Sequence, residues 1–387
     1  MNMTEDGKLA PANRTVAKQS KTRDSNLELF RIITMLLIVA HHYVVNSGLI
    51  SADGPIKANP MSANSLFLLL FGAWGKIGIN CFVMITGYFM CKSQITAKKF
   101  AKLICEVMLY KIVIYLIFLF AGREQISVSR FVTLILPVTS IQQNFTGCFI
   151  IFFLFIPFLN ILIHHMNERQ HIKLLLLLFF TYVLFGTIHS GSFGVSMNYV
   201  SWFMVLYFIA AYIRLYPKKW FSNNRICGGW LLLWILASSA SVIGGAWLAT
   251  KTDYFIPFYF VTDSNTFLAV MTGVFAFLFF KNIKMPYNKV INTIAASTFG
   301  VLLIHANSDA MRQWLWKDVI ATASHYNDKK MAIYAIVSVL GIFAVCVVID
   351  IIRINLLEKP FFKWWDKHWE NISAAYKKKE NQLFHVE

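Results

Sequence analysis

The chain of 387 residues is 57% hydrophobic, with 35 phenylalanines and a mean hydropathy of +0.56, a balance that excludes an ordinary soluble domain and points to an integral membrane protein. Its formal charge of +17 would suit nucleic acid only if the basic residues gathered on one soluble face; they are scattered between apolar runs, so nucleic acid is not expected as a partner. The six cysteines (Cys81, Cys91, Cys105, Cys148, Cys227 and Cys346) form no C-x-x-C pair and mostly fall in or beside apolar runs, so neither a zinc site nor a disulfide framework is indicated and no bound metal is expected.

Residues 1–25 read as a polar cytoplasmic tail without the apolar core and cleavage site of a signal peptide, so the first span is expected to direct insertion. At roughly 20 apolar residues per crossing, the sequence predicts an all-α polytopic protein with about ten transmembrane helices. Their approximate limits are 27–48, 66–90, 102–121, 146–164, 172–190, 199–215, 227–249, 264–281, 292–310 and 331–353. A shorter apolar piece, "RFVTLILPV" (130–138), is too short to cross and contains Pro137, which suits an interfacial or re-entrant segment. The plan is therefore a tail at 1–25, a membrane domain at 26–355, and an interfacial or cytoplasmic tail at 356–387 whose "KWWDKHW" (363–369) reads as a membrane-surface anchor.

With the N-terminus inside, 25 Lys and Arg fall on the cytoplasmic side and 8 on the other, while Arg31, Lys76 and Lys111 lie within spans. That bias predicts both termini cytoplasmic. No direct or inverted internal repeat is evident, which disfavours the repeat-built transporter architectures.

Ionisable groups at membrane depth are costly and usually face a protein interior or a water-filled cavity. On a helical wheel at about 100° per residue, Glu28, Arg31, His42 and Asn46 share one face of the first span, whereas His41 falls about 80° off it. Arg31 and His42 stand about 16 Å apart along the axis, so they could line one cavity without touching. The plainer readings are a His42 imidazole satisfied by a neighbouring helix, and an Arg31 that snorkels to the interface or pairs with Glu28.

In the second span, "WGKIGINCFVMITGYFM" (74–90), Gly75, Gly78 and Gly87 allow close helix contact and Lys76 and Asn80 lie one turn apart. Lys76 is either functional or a lysine snorkelling outward or paired with an acid. The ninth span places Thr298, His305, Asp309 and Arg312 on one face, giving either an oriented His305–Asp309 pair or a polar cluster at a helix end. There is no Walker A run, dinucleotide fingerprint or H-E-x-x-H.

The stretches "NLELFRIITMLLIVAHHYV" (26–44), "WGKIGINCFVMITGYFM" (74–90), "FTGCFIIFFLFIPFLN" (145–160), "YVSWFMVLYFIAAYIRLY" (199–216) and "INTIAASTFGVLLIHA" (291–306) occur in an order and at spacings that resemble the acyltransferase 3 family. These are polytopic membrane acyltransferases, and the likeness is strongest to bacterial members that O-acetylate surface polysaccharides. The resemblance covers nearly all of 26–355. Its most specific element is an arginine near the start of the first span followed eleven residues later by a histidine, here Arg31 and His42.

The resemblance implies a ten-helix domain in a bacterial cell membrane that passes an acetyl group from acetyl-CoA, with no tightly bound cofactor, to a hydroxyl of a glycan or lipid-linked sugar. It implies His42 as the essential histidine and Arg31 as its motif partner; the polar residues read from the spans add Glu28, His41, Lys76, Asn80 and His305 as supporting candidates. Where the family often carries an arginine pair after the second span, this chain has Lys98 and Lys99, with Lys92 and Lys102 nearby. Charge is kept for the CoA phosphates, but the bidentate fork is not.

Acyl transfer to an alcohol needs a base for the hydroxyl proton and positive charge or donors for the developing oxyanion. A neutral imidazole at His42 suits the base role, and a covalent acyl-histidine relay is chemically open too. Tyr199, Trp202, Tyr254, Phe255, Tyr259 and Trp314 could stack on sugar rings or form an interfacial aromatic belt. The rival classes are a transporter or flippase for a glycan, lipid or small acylated metabolite, and a non-catalytic scaffold.

Overall fold

The computed structural model describes residues 24–369, apart from 140, 142–143, 189–194, 196–197 and 253, together with residue 373; residues 1–23 of the expected N-terminal tail, and 370–387 except 373, lie outside the described residues. Among the described residues every regular element is a helix. In chain order the elements are α1 (Ser25–Val45), α2 (Ala63–Met90), α3 (Ala97–Phe120), the short α4 (Val128–Ile135), α5 (Phe145–His165), α6 (Glu168–Ile188), α7 (Tyr199–Leu215), α8 (Asn224–Ala249), α9 (Phe267–Lys281), α10 (Lys289–His305), α11 (Asp309–His325) and α12 (Met331–Trp369).

Each of the ten predicted spans coincides with helix, but seven are long and apolar enough to cross a bilayer unaided, namely α1, α2, α3, α5, α6, α8 and α12. At 1.5 Å per residue, the 17 residues of α7 and 15 of α9 give roughly 26 and 22 Å, short of the ~30 Å hydrocarbon core. The predicted ninth span is a pair, α10 and α11, bent by 95°, which would make an eighth crossing.

Local sequence explains where helices start. Thr96, Asn144, Asn198, Asn223 and Asn288 each accept a backbone N–H of the first turn, and Asn167 forms a reciprocal capping box with Gln170 in "NERQ". The end of α12 departs from expectation, because the helix does not stop near 353 but runs to Trp369. Pro360 has no N–H for the carbonyl one turn back, and a π-helical turn at Ile354–Glu358 just ahead of it lets the chain continue as helix. The eight-residue α4 matches the piece judged too short to cross; none of its residues is buried.

α1 is the central element, packed against α2, α10 and α12, while the second half of α2 also meets α7 and α9. Small residues make this approach possible. A Cβ on Gly75 would stand 2.3 Å from Cβ and Cγ of His41, and one on Gly78 would stand 3.0 Å from Ile38 and 3.1 Å from the Thr34 carbonyl. Gly75→Ala is therefore expected to destabilise the α1–α2 contact by about 1–3 kcal/mol. A thermal midpoint of the detergent-solubilised variant equal to that of wild type would contradict this packing.

Candidate functional site

His42 sits in the last turn of α1, and its Nδ1 lies 2.9 Å from Nε2 of His305 at the end of α10. His305 is fully buried, and its Nδ1 donates to the Val301 carbonyl at 2.6 Å. Both histidines were candidates in the sequence, and of the two readings offered for His305 the i,i+4 pair with Asp309 is not formed. The helix ends at Ala306, and Ser308 caps α11 by accepting the Met311 N–H, so His305 and Asp309 lie on different helices. Asp309 instead pairs with Arg312.

His42 lines a cavity of about 610 Å³. Ile38 of α1, Ile79 of α2, Val107 of α3 and Leu302 of α10 contribute apolar wall; Lys76, Tyr199, Lys111, Asn144, Asn307 and Arg312 contribute polar or charged groups. Arg130 and Thr133 of α4 close part of the rim, and the Lys111 ammonium holds this segment by donating to the Leu136 carbonyl at 2.7 Å. The wall thus carries the cations Lys76, Lys111, Arg130 and Arg312 and the carboxylates Glu124 and Asp309, each carboxylate paired with one of the arginines, beside apolar surface, a lining that suits a polar reactant.

The remaining candidates separate into groups. Lys76 shares the cavity with His42, and its ammonium donates to the Tyr199 hydroxyl at 2.8 Å rather than to an acid. Asn80, one turn on, faces the same helix α7 but is fully buried and occupied: its amide donates to the Ser264 and Ala269 carbonyls, and its oxygen accepts from Trp202 Nε1 at 2.9 Å. It is absent from the cavity wall and acts as a clamp between α2, α7 and the chain leading into α9. His41 is turned to the Gly72 carbonyl at 2.7 Å.

Arg31 bonds the buried Glu28 at 2.9 Å, and neither is part of the His42 cavity. A shared helix face did not translate into a shared cavity, because the α1 face is covered by different helices along its length. Of the four lysines, Lys98 pairs with Asp366 and Lys102 with Glu358, both at 2.6 Å and both on the C-terminal extension of α12. Lys99 donates to Ser93 Oγ and the Gln94 carbonyl at 2.7 Å. Lys92 lines a second cavity of about 760 Å³ with Cys91, Asn160 and His164.

The six aromatics do not converge. Trp202 is buried, Tyr254 is 72% exposed, and Trp314 packs edge-on against Phe118. Sequence reasoning placed no weight on Lys111 or Asn307 as cavity residues and read Arg312 only as part of the polar face around His305; for Lys111 the available signal was its position inside a span. Among the described residues, no group of three His, Cys, Asp or Glu side chains could hold a metal ion.

A model of the acyltransferase domain of the acyltransferase 3 family matches residues 24–351, most of the chain. The chain belongs to the acyltransferase 3 family. No curated protein and no solved structure matches it. As a member of the acyltransferase 3 family with this set of apolar helices, it is a multi-pass membrane acyltransferase. For such an acyltransferase the cavity offers the two kinds of group acyl transfer requires, an imidazole at His42 and a cationic donor at Lys76.

Proposed function

We propose that this acyltransferase moves an acetyl group from cytoplasmic acetyl-CoA to a hydroxyl of a surface polysaccharide or of its lipid-linked sugar precursor, in a bacterial cell membrane. The observation that carries the proposal is the His42 imidazole on the wall of a 610 Å³ cavity that also holds Lys76 and Tyr199. A His42 ring nitrogen takes the acceptor hydroxyl proton as the oxygen attacks the thioester carbonyl. The carbon–sulfur bond then breaks, and the proton passes to the departing CoA thiolate. The Lys76 ammonium stands ready for the oxyanion, with the Tyr199 hydroxyl beside it.

Counting the α10–α11 pair, α7 and α9 as crossings gives the ten of the proposed topology, with both termini cytoplasmic as the Lys and Arg bias indicates. In that orientation Arg31 and the lysines at 92–102 lie at the cytoplasmic end, where the CoA phosphates arrive. His42, at the other end of α1, and the cavity it lines then fall toward the opposite leaflet, the side from which the acceptor is proposed to arrive.

The test is mass spectrometry of surface polysaccharide from cells with and without the protein, paired with release of free CoA from acetyl-CoA by the purified enzyme. Glycan O-acetyl groups that appear only with the protein are expected. CoA release with an unmodified glycan would overturn the acceptor assignment. Neither signal would favour transport.

A further inference from the structure

The hydrogen-bond chain Val301–His305–His42 has a direction. A carbonyl oxygen only accepts, so the 2.6 Å contact with Val301 requires the His305 proton on Nδ1. In a neutral ring Nε2 is then a lone pair, and the 2.9 Å contact with His42 requires the donor to be His42 Nδ1. His42 Nε2 is thereby left without its proton. Neutral rings are consistent with the surroundings: Lys76 and Arg312 share the cavity, its two carboxylates, Glu124 and Asp309, pair with Arg130 and Arg312, and neither ring has a carboxylate partner among the described residues.

From this geometry we infer that His305 is the positioning residue of the proposed transfer: it fixes His42 in the Nδ1–H tautomer, so that Nε2 is the atom that reacts. The inference rests on the acyltransferase reading of this cavity. It adds which nitrogen acts, and it replaces the carboxylate that usually orients a catalytic histidine by a second histidine anchored to backbone. When Nε2 takes the acceptor proton, the His42 Nδ1–H bond to His305 becomes charge-assisted and shorter, which stabilises the imidazolium as it forms. The same nitrogen serves if the acetyl group is carried covalently: Nε2 attacks the thioester carbonyl and CoA thiolate leaves. The acceptor hydroxyl then attacks the acyl-imidazole, returning the Nε2 lone pair and giving its proton to the thiolate.

The fold supplies the rigidity this role needs. His305 is fully buried on an eight-residue helical segment, Thr298–His305, that packs against α1, α3 and α12. The bend that follows sends the chain away at 95°, so the ring caps the helix end facing His42.

Two measurements decide the matter. The first is the tautomer, read by solid-state NMR of the whole protein in lipid with 15N-histidine, the His42 signals being identified by their loss in His42→Asn. Nδ1–H on His42 is expected, and Nε2–H overturns the inference regardless of any activity. The second compares His305→Leu with His305→Gln, whose side-chain oxygen can accept the same bond. His305→Leu is expected to lower kcat on the order of 10²-fold with KM for acetyl-CoA little changed, and His305→Gln to recover most of that loss. A kcat for His305→Leu within about twofold of wild type overturns the positioning role. If wild type transfers no acetyl group to any acceptor, the acyltransfer reading of the cavity fails while the tautomer is still read.

Discussion

His42→Ala is expected to lower acetyl transfer by about 10²–10⁴-fold at matched membrane levels, the usual worth of a positioned general base. His41→Ala serves as the internal control. Its imidazole is adjacent in sequence, but it faces the Gly72 carbonyl at 2.7 Å and packs on Gly75, so its loss removes a structural hydrogen bond worth about 1 kcal/mol and not the cavity base. His41→Ala should therefore keep kcat near wild type while lowering the thermal midpoint. Arg31→Ala separates a third effect. Arg31 lies outside the cavity and bonds Glu28, so on the proposed topology its loss raises KM for acetyl-CoA and leaves kcat comparatively intact. Equal activity in His42→Ala and wild type, both folded, would remove the histidine from the mechanism.

The helices were legible because a bilayer demands long apolar runs, and each predicted span overlaps a helix, the ninth one broken. What spacing did not show was which faces meet. His42 and His305 are separated by 263 residues, and no periodicity joins them; each was suspected alone, from the cost of an imidazole at membrane depth. The wheel drawn through 291–314 assumed an unbroken helix, and so offered a His305–Asp309 pair beside the reading of a polar cluster at a helix end. "Asn-Ser-Asp" at 307–309 held the contrary signal, since a serine followed by an acid is a helix start, and Ser308 is the cap of α11. Lys76 and Asn80 illustrate the limit of the i,i+4 rule in the other direction. They do share a face, and that face meets Tyr199 and Trp202 of α7 rung by rung, yet only the Lys76 rung borders the cavity.

Arg353→Met is expected to destabilise the protein by about 3–5 kcal/mol, the cost of leaving buried charges unpaired. Arg353 stands at the predicted end of the last span, but the helix continues past it and buries it. Its guanidinium donates to Asp350 Oδ1 at 2.7 Å, to Glu358 at 2.7 Å and to Glu106 of α3 at 3.1 Å, and Tyr110 adds a bond to the same Asp350 oxygen at 2.8 Å. Asp350 is fully buried, and Glu106 and Arg353 are each 7% exposed, so deleting the cation strands carboxylates where water cannot reach them. Arg353→Lys should be intermediate, because a single ammonium cannot serve three carboxylates in the directions a planar guanidinium does.

The effect should reach activity as well as stability. Asp350 lies against Gly300 of α10, so close that a Cβ there would stand 2.2 Å from its carboxylate, and α10 carries His305 five residues on. A loosened Asp350 therefore loosens the helix that holds His305 to His42. A thermal midpoint of Arg353→Met equal to that of wild type in detergent would show the cluster to be solvated and uncoupled from the site. A lowered midpoint with reduced kcat, relieved in part by Arg353→Lys, would tie the ionic clamp between α3 and α12 to the positioning of the histidine pair.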